Sequence, residues 1–595
     1  MKLQVKAPMA ASVVMLAVAP GDAVRRGQLL CVLEAMKMEH ELHAGADGRV
    51  ERVRVAVGDA VEAGETMFEL SAGSPPGGAQ PEAPADARPA AVSALRPDLQ
   101  AAIDRHAFTL DANRPAAVAR RRARGQRTAR ENVAAVCDAG SCREYGALAV
   151  AAQSRRRPHD ELMRQTPGDG IVTGIGSVEG RRCVVMAYDA TVLAGTQGLR
   201  NHQKTDRMLE LALRHRLPVV LFAEGGGGRP GDTDSTIVAG LFITTFAHFA
   251  RLSGQVPLIG VAAGRCFAGN AALLGCCDLV IATRDSNIGM GGPAMVEGGG
   301  LGVVAPEQIG PSEVQAANGV IDVLVADEIE AAVVARRCLA FLGPLPADAT
   351  RPAWTAAAAG ALREALPANR VRAYDMRRVM GLVADTDSVL ELGAGFGHGV
   401  LTAFARIEGR PIGLLASNPS HLGGAIDGDA ADKAVRFMEL CSTHRLPLVS
   451  LVDTPGFMVG PAVEAQAQVR RASRMFVAGA RLAVPLFAIV LRKAYGLGAM
   501  AMTGGGFHVP VATVAWPGAE FGAMGLEGAV RLGYRKELEA AAQGAERDAL
   551  FETLLADQVA RGAAIPMAET LEIDAVIDPA ATRDWLVAGL LAAAR

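Results

Sequence analysis

The sequence predicts an α/β protein preceded by a small all-β domain, and three features lead to that expectation. Short Val-rich segments broken by Gly-Asp turns fill residues 1–70, the pattern of brief strands. Residues 71–93 are dominated by Pro, Ala and Gly. From residue 94 to 595, β-like apolar runs alternate with helical stretches, the signature of a βαβ architecture. That last region also matches itself at a constant offset.

Within the first segment, Gly21-Asp22-Ala23-Val24 and Gly27 return as Gly58-Asp59-Ala60-Val61 and Gly64, 37 residues later. Each Gly-Asp pair supplies turn residues that tolerate positive φ, so two similar halves of one sandwich are expected. Between them lies Glu34-Ala35-Met36-Lys37-Met38-Glu39-His40. A long unbranched amine at the apex of a tight turn presents its nitrogen to solvent. The stretch Ser71–Ala91 follows, with 15 of 21 residues Pro, Ala or Gly. It cannot bury enough surface to order itself and is read as a tether.

The second repeat has an offset of 229. Val178-Glu179-Gly180-Arg181 pairs with Ile407-Glu408-Gly409-Arg410, and His215-Arg216-Leu217-Pro218 with His444-Arg445-Leu446-Pro447. Between them Gly195/Gly424, Lys204/Lys433, Arg207/Arg436 and Glu210/Glu439 keep the register without a gap. Two copies of one βαβ-rich domain follow. Each copy runs an apolar strand into a loop, Glu224-Gly225-Gly226-Gly227-Gly228-Arg229 in the first and Asp453-Thr454-Pro455-Gly456-Phe457 in the second. Gly269-Asn270 and Gly498-Ala499 form a further pair 229 apart. Glycine lets backbone N–H groups approach a ligand closely, and two such donors aimed at one point make an oxyanion site.

Other chemistries are excluded on the residues. Gly226–Gly231 has phosphate-loop spacing, but Asp232 stands where that loop requires Lys. Gly174-Ile175-Gly176-Ser177 lacks the glycine a serine-nucleophile elbow needs. With 60 basic and 63 acidic side chains the formal net charge is −3, which gives no reason to expect nucleic acid or an acidic membrane as partner. Apolar runs such as Leu482–Leu491 are too short for a bilayer span. Nine cysteines without a C-x-x-C pair suggest a reduced, cytoplasmic, soluble protein with no metal site.

Residues 1–70 resemble the biotinyl (biotin carboxyl carrier) domain family, through the tetrapeptide Ala35-Met36-Lys37-Met38 at the hairpin tip. The resemblance implies covalent biotin on Lys37, attached by a biotin protein ligase. Pro8-Met9-Ala10-Ala11 departs from the family's Pro-Gly turn. The remainder resembles the carboxyltransferase component of acetyl- and propionyl-CoA carboxylases. Gly125–Asn132, Asp453–Phe457, Arg492–Gly496 with Gly498-Ala499, and Ala515–Glu520 carry that likeness. It implies two tandem crotonase-like domains, over 94–347 and 348–595, assembled by resemblance into a dimer-built hexamer. Gly226 and Gly227 would then receive the thioester enolate oxygen, and Gly498 and Ala499 the ureido oxygen of biotin. The first loop departs from the family's D-S-G-G-A-R, which puts its geometry in question more than its role. Met500 and Ala501 would border the acyl pocket, with Ala501 standing where propionyl-type enzymes carry Asp.

The activity so implied is carboxyl transfer from N1-carboxybiotin on Lys37 to the α-carbon of an acyl-CoA, with a separate biotin carboxylase subunit loading the biotin. A biotin-dependent decarboxylase would run the transfer in reverse beside a membrane partner. A crotonase-like hydratase or isomerase would need a catalytic carboxylate and no biotin.

Overall fold

The computed structural model describes residues 2–73, 95–234, 239–342 and 359–593. Two compact units divide the chain, Met1–Arg96 and Pro97–Arg595.

The first unit is an antiparallel sandwich of two four-stranded sheets. One orders Lys2–Lys6, Thr66–Ala72, Gly48–Val53 and Ala23–Val24; the other Met38–His43, Leu29–Ala35, Ala11–Leu16 and Ala60–Val61. The 37-residue echo is structural. Gly21, Gly27, Gly58 and Gly64 all take φ between +85° and +98°, a region open to glycine. The Asp22 carboxylate accepts from Ala19 N–H at 2.7 Å and the Asp59 carboxylate from Ala56 N–H at 2.8 Å. Val24 and Val61 bury at equivalent places beside Leu33, Phe68 and Leu70. The last strand runs through Ala72, two residues past the expected boundary at 70. The remainder of the expected tether, 74–93, lies outside the described residues.

In the second unit each copy builds its own sheet. The first orders Val323–Val325, Leu279–Thr283, Leu258–Ala262, Val219–Phe222, Arg181–Tyr188, Ile171–Val178 and Arg143–Tyr145. The second begins Leu390–Leu392, Val400–Ile407, Arg410–Ser417, Leu448–Thr454 and Leu486–Tyr495, and has eight strands in all. Strands 171–178 and 181–188 reappear as 400–407 and 410–417, and the short turn 193–195 as 422–424. Past the fourth strand the register drifts: Leu279–Thr283 and Ala512–Ala515 begin 512 − 279 = 233 residues apart.

The strands from Val219 to Thr283 in the first copy and from Leu448 to Ala515 in the second pair in parallel, as expected for the part of a sheet covered by helices. Charged pairs tie the copies together. Arg436 donates to Asp322 at 2.9 Å and to the Gly319 carbonyl at 2.9 Å, and His444 meets Asp278 at 3.1 Å. The expected boundary between the copies, 347/348, lies outside the described residues.

The repeated lysines sit inside. Lys204 Nζ donates to the carbonyls of Gly168 and Ile171, and Lys433 Nζ to those of Phe396 and Val400. Burial pushes both ammonium groups down to about 8. Between pH 8 and 10.5 the unfolded lysines hold protons that the folded ones have lost, so stability rises with pH across that window. The Tm of the wild type is therefore expected to climb from pH 8 to pH 10 relative to Lys204→Met and Lys433→Met, measured by scanning calorimetry. Parallel curves would contradict these assignments.

Candidate active site

Lys37 occupies the tip of the hairpin formed by Leu29–Ala35 and Met38–His43. Ala35 pairs with Met38, so Met36 and Lys37 form a two-residue turn, with φ of 53° and 64°. That is the twist a type I′ hairpin demands. Lys37 is exposed, Met36 is 99% exposed and Met38 65%. No ion pair engages Lys37 among the described residues, so its ammonium is open to modification. The geometry suits a lysine carrying a covalent group in solvent.

In the first copy, strand Val219–Phe222 delivers the glycine loop. Gly225 and Gly227 take φ of +137° and +84°, conformations that side chains disfavour. Hydrogen bonds hold the loop from both sides. Gly225 N–H donates to Arg265 O at 2.7 Å, Phe267 N–H to Gly225 O at 2.9 Å, and Gln197 N–H to Gly227 O at 2.7 Å. Gly226 N–H points toward Ala194 O at 3.3 Å. Gly227 N–H has no acceptor among the described residues. A methyl on Gly227 would lie 3.3 Å from the nitrogen of Gly269, the first residue of helix Gly269–Gly275. The N–H groups of Gly227 and Gly269 are thus neighbours. Asn270 Nδ2 donates to Glu224 O at 2.9 Å and bridges to Gly195 O at 3.3 Å.

The second copy repeats the construction. Ile426 N–H donates to Gly456 O and Met458 N–H to Ile426 O, matching Gln197, Gly227 and Arg229 at the same offset. Gly456 takes φ of +117°. Helix Gly496–Met502 follows Tyr495 as N-cap. Gly498 is its third residue, whose N–H has no intrahelical acceptor; Ala499 is the fourth, and its N–H belongs to the helical ladder. A methyl on Gly498 would meet Phe457 N at 2.9 Å and Gly456 Cα at 2.6 Å. Each copy therefore sets a loop N–H beside a helix-start N–H, Gly227 with Gly269 and Phe457 with Gly498.

The sequence reading places one donor set in each copy, Gly226-Gly227 in the first and Gly498-Ala499 in the second. It missed Gly269 and Phe457 as the complementary donors. The 229-residue offset points from Gly498 to Gly269, whereas Phe457 stands one residue past Gly456, the counterpart of Gly227, whose own N–H donates to Thr454 Oγ1 at 3.1 Å.

Both loops begin with an acid, Glu224 partly buried and Asp453 fully so. Glu224 pairs with Arg121 at 2.6 Å, and burial raises its carboxyl to about 6 despite that guanidinium. Asp453, fully buried, meets Arg492 at 3.1 Å and accepts from the Tyr374 hydroxyl at 2.8 Å. Arg492 also lies 4.9 Å over the Tyr374 ring. Burial and Asp453 drive the Tyr374 phenol upward.

Met500 lines a cavity of about 1100 Å³ with Phe507, Val509, Met524 and Leu532. Ala501 does not line it; its methyl is wholly buried in the core beside Ala499 and Met502. The reason is helical phase: one residue further along, the side chain turns by about 100° into the protein.

Comparison with known proteins matches the carboxyl transferase domain family to residues 120–595 and the biotin-requiring enzyme family to residues 3–70. The structure of a single-chain, multi-domain long-chain acyl-CoA carboxylase is 50% identical with a TM-score of 0.80. The match covers 99% of this chain but 56% of that one, so this chain spans just over half its length. The transcarboxylase 12S hexamer, solved with methylmalonyl-CoA bound, is 30% identical with a TM-score of 0.73, covering 83% of this chain and 94% of its own. The long chain acyl-CoA carboxylase beta4 subunit of Mycobacterium tuberculosis is 32% identical over 483 residues, 78% of this chain and 88% of its own. With two glycine-loop copies in its fold and an exposed lysine on its N-terminal hairpin, the chain belongs to the carboxyl transferase family and carries a biotin-requiring domain at its N-terminus.

Proposed function

We propose that this chain moves a carboxyl group between biotin on Lys37 and the α-carbon of an acyl-CoA, and that long acyl chains are preferred. The observation that carries the reading is the coexistence of an exposed hairpin lysine with two backbone-donor sites in tandem. Bound biotin supplies the carboxyl group and a ureido nitrogen able to accept the thioester's α-proton.

The protein's own task is electrostatic. Loss of the α-proton builds negative charge on the thioester oxygen, and the first-copy loop at Gly226-Gly227 meets it, with Gly227 N–H and Gly269 N–H as the free donors. The helix start at Gly498-Ala499 meets the ureido oxygen, through Gly498 N–H and Phe457 N–H. Donors fixed before the charge develops need no reorganisation when it does, and each contributes about 2.7–4 kcal/mol in comparable sites. No side-chain nucleophile is required.

The tandem domains are read as 94–347 and 348–595, joined to the biotinyl domain by the segment that follows Ala72. A separate biotin carboxylase recharges the biotin, and a biotin protein ligase attaches it. The 12S relative is a hexamer, and the same assembly is proposed here, in the cytoplasm. Among the described residues no helix is long and apolar enough to cross a membrane.

Long-chain preference rests on two supports. The 50%-identical relative is a long-chain acyl-CoA carboxylase, and Met500 opens onto a large, mainly apolar cavity.

Two experiments test the reading. Lys37→Arg is expected to abolish the streptavidin signal and the coupled reaction, while transfer to free biotin survives. Biotin persisting in that variant would refute the attachment site. In an acyl-CoA panel with added biotin carboxylase, kcat/KM is expected to rise from acetyl-CoA toward long chains. Met500→Trp, which fills the cavity mouth, is expected to lose the longest substrates first, by about tenfold or more. A wild type that prefers acetyl-CoA, or a flat profile in the variant, would overturn the chain-length assignment.

A further inference from the structure

Four consecutive glycines are costly to order, because each loses more conformational freedom than any other residue. Gly225–Gly228 nevertheless hold a fixed path, and a loop without side chains must be fastened at its ends. The downstream end is fastened by Arg229, which pairs with buried Asp169 and donates to the Thr196 carbonyl at 2.8 Å. The upstream end is fastened by Glu224. Its carboxylate meets Arg121 of helix Pro115–Arg122 at 2.6 Å, and Arg121 also donates to the Arg127 carbonyl at 2.7 Å and reaches Glu328 at 3.3 Å. The space for that carboxylate exists because residue 264 is glycine: a methyl there would lie 2.6 Å from Glu224 Oε1.

The same arrangement recurs 229 residues on, built from different parts. Asp453 holds the start of the second loop through Arg492, a residue of the neighbouring strand, and through the Tyr374 hydroxyl. One chain thus solves the same problem twice, with an acid at the same position and a cation recruited from an unrelated place. Ordinary packing does not require such a coincidence.

We infer that Glu224 is a positioning residue for carboxyl transfer, acting through its ion pair with Arg121 to hold the free N–H of Gly227 in line with that of Gly269. The inference rests on the proposed function, since it assigns those donors to the thioester oxygen. Groups facing the Glu224 carboxylate are Arg121, Glu328, Asp189 and the Cys266 thiol, with Gln126 near the same space. Of these only Arg121 is cationic. With its carboxyl raised to about 6, Glu224 takes a proton as pH falls through that value, and the pair is lost on the acid side.

The test measures transfer from carboxylated acyl-CoA thioesters to free biotin in the full chain, alongside Tm. Glu224→Gln is expected to lower kcat by about tenfold to a hundredfold, the scale of an ångström's misplacement, with KM for the thioester within about twofold of wild type. Glu224→Asp keeps the charge and is expected to retain more activity. Because Glu224→Gln leaves Arg121 buried with a weakened partner, its Tm is expected to fall; the double variant Arg121→Met with Glu224→Gln removes both groups and is expected to recover Tm without recovering kcat. The wild type should lose kcat below about pH 6, and the double variant should lack that acid limb. A double variant that regains kcat together with Tm would show a purely structural role and overturn the inference. So would an unchanged kcat in Glu224→Gln. A wild type inactive in transfer would overturn the proposed function itself, and this inference with it.

Discussion

Backbone N–H groups can face a ligand only where no side chain stands between, and that constraint shapes the catalytic half of this chain. Gly227 cannot carry a methyl without pressing on Ala268 Cβ at 2.6 Å, nor Gly498 without pressing on Gly456. The close approach that excludes a side chain is the same approach that sets two N–H donors side by side. Loop and helix start are brought together by adjacent strands, Val219–Phe222 with Leu258–Ala262 and Leu448–Thr454 with Leu486–Tyr495. The sheet is the ruler; the glycines are what it measures.

Charge is handled consistently around these loops. Arg121 with Glu224, Arg229 with Asp169, and Arg492 with Asp453 are buried or partly buried pairs at loop ends. Buried pairs add little net stability compared with packed apolar groups, yet their geometry is specific, and a loop poor in side chains has few other means of being specified. The buried lysines differ in kind. Lys204 and Lys433, on helices Leu199–His215 and Gly428–Thr443, donate to backbone carbonyls.

Much of this was legible in the sequence, for physical reasons. The 37-residue echo reports four positive-φ glycines and two Asp side chains closing turns, a backbone conformation that disfavours other residues. The 229-residue repeat reports two copies of one sheet, and strands 171–178 and 400–407 keep it without a gap. Lys37 was legible because a two-residue turn between paired strands leaves its apex in solvent. What stayed hidden depends on contacts between distant segments. Arg121 lies 103 residues before Glu224, and no local pattern announces the partnership. Ala501 was misplaced on the pocket wall because a one-residue step along Gly496–Met502 decides between cavity and core. The N-cap at Tyr495 sets the helical phase.

The most direct measurement of the central claim is the carbonyl stretch of a ¹³C-labelled acyl-CoA thioester bound to the protein, read by isotope-edited infrared difference spectroscopy. Two fixed N–H donors polarise a carbonyl and weaken its double bond. The account expects the bound thioester to absorb at lower frequency than in water, and the shift to vanish in Gly227→Ala while the acyl-CoA remains bound. A bound thioester with an unshifted carbonyl in the wild type would contradict it.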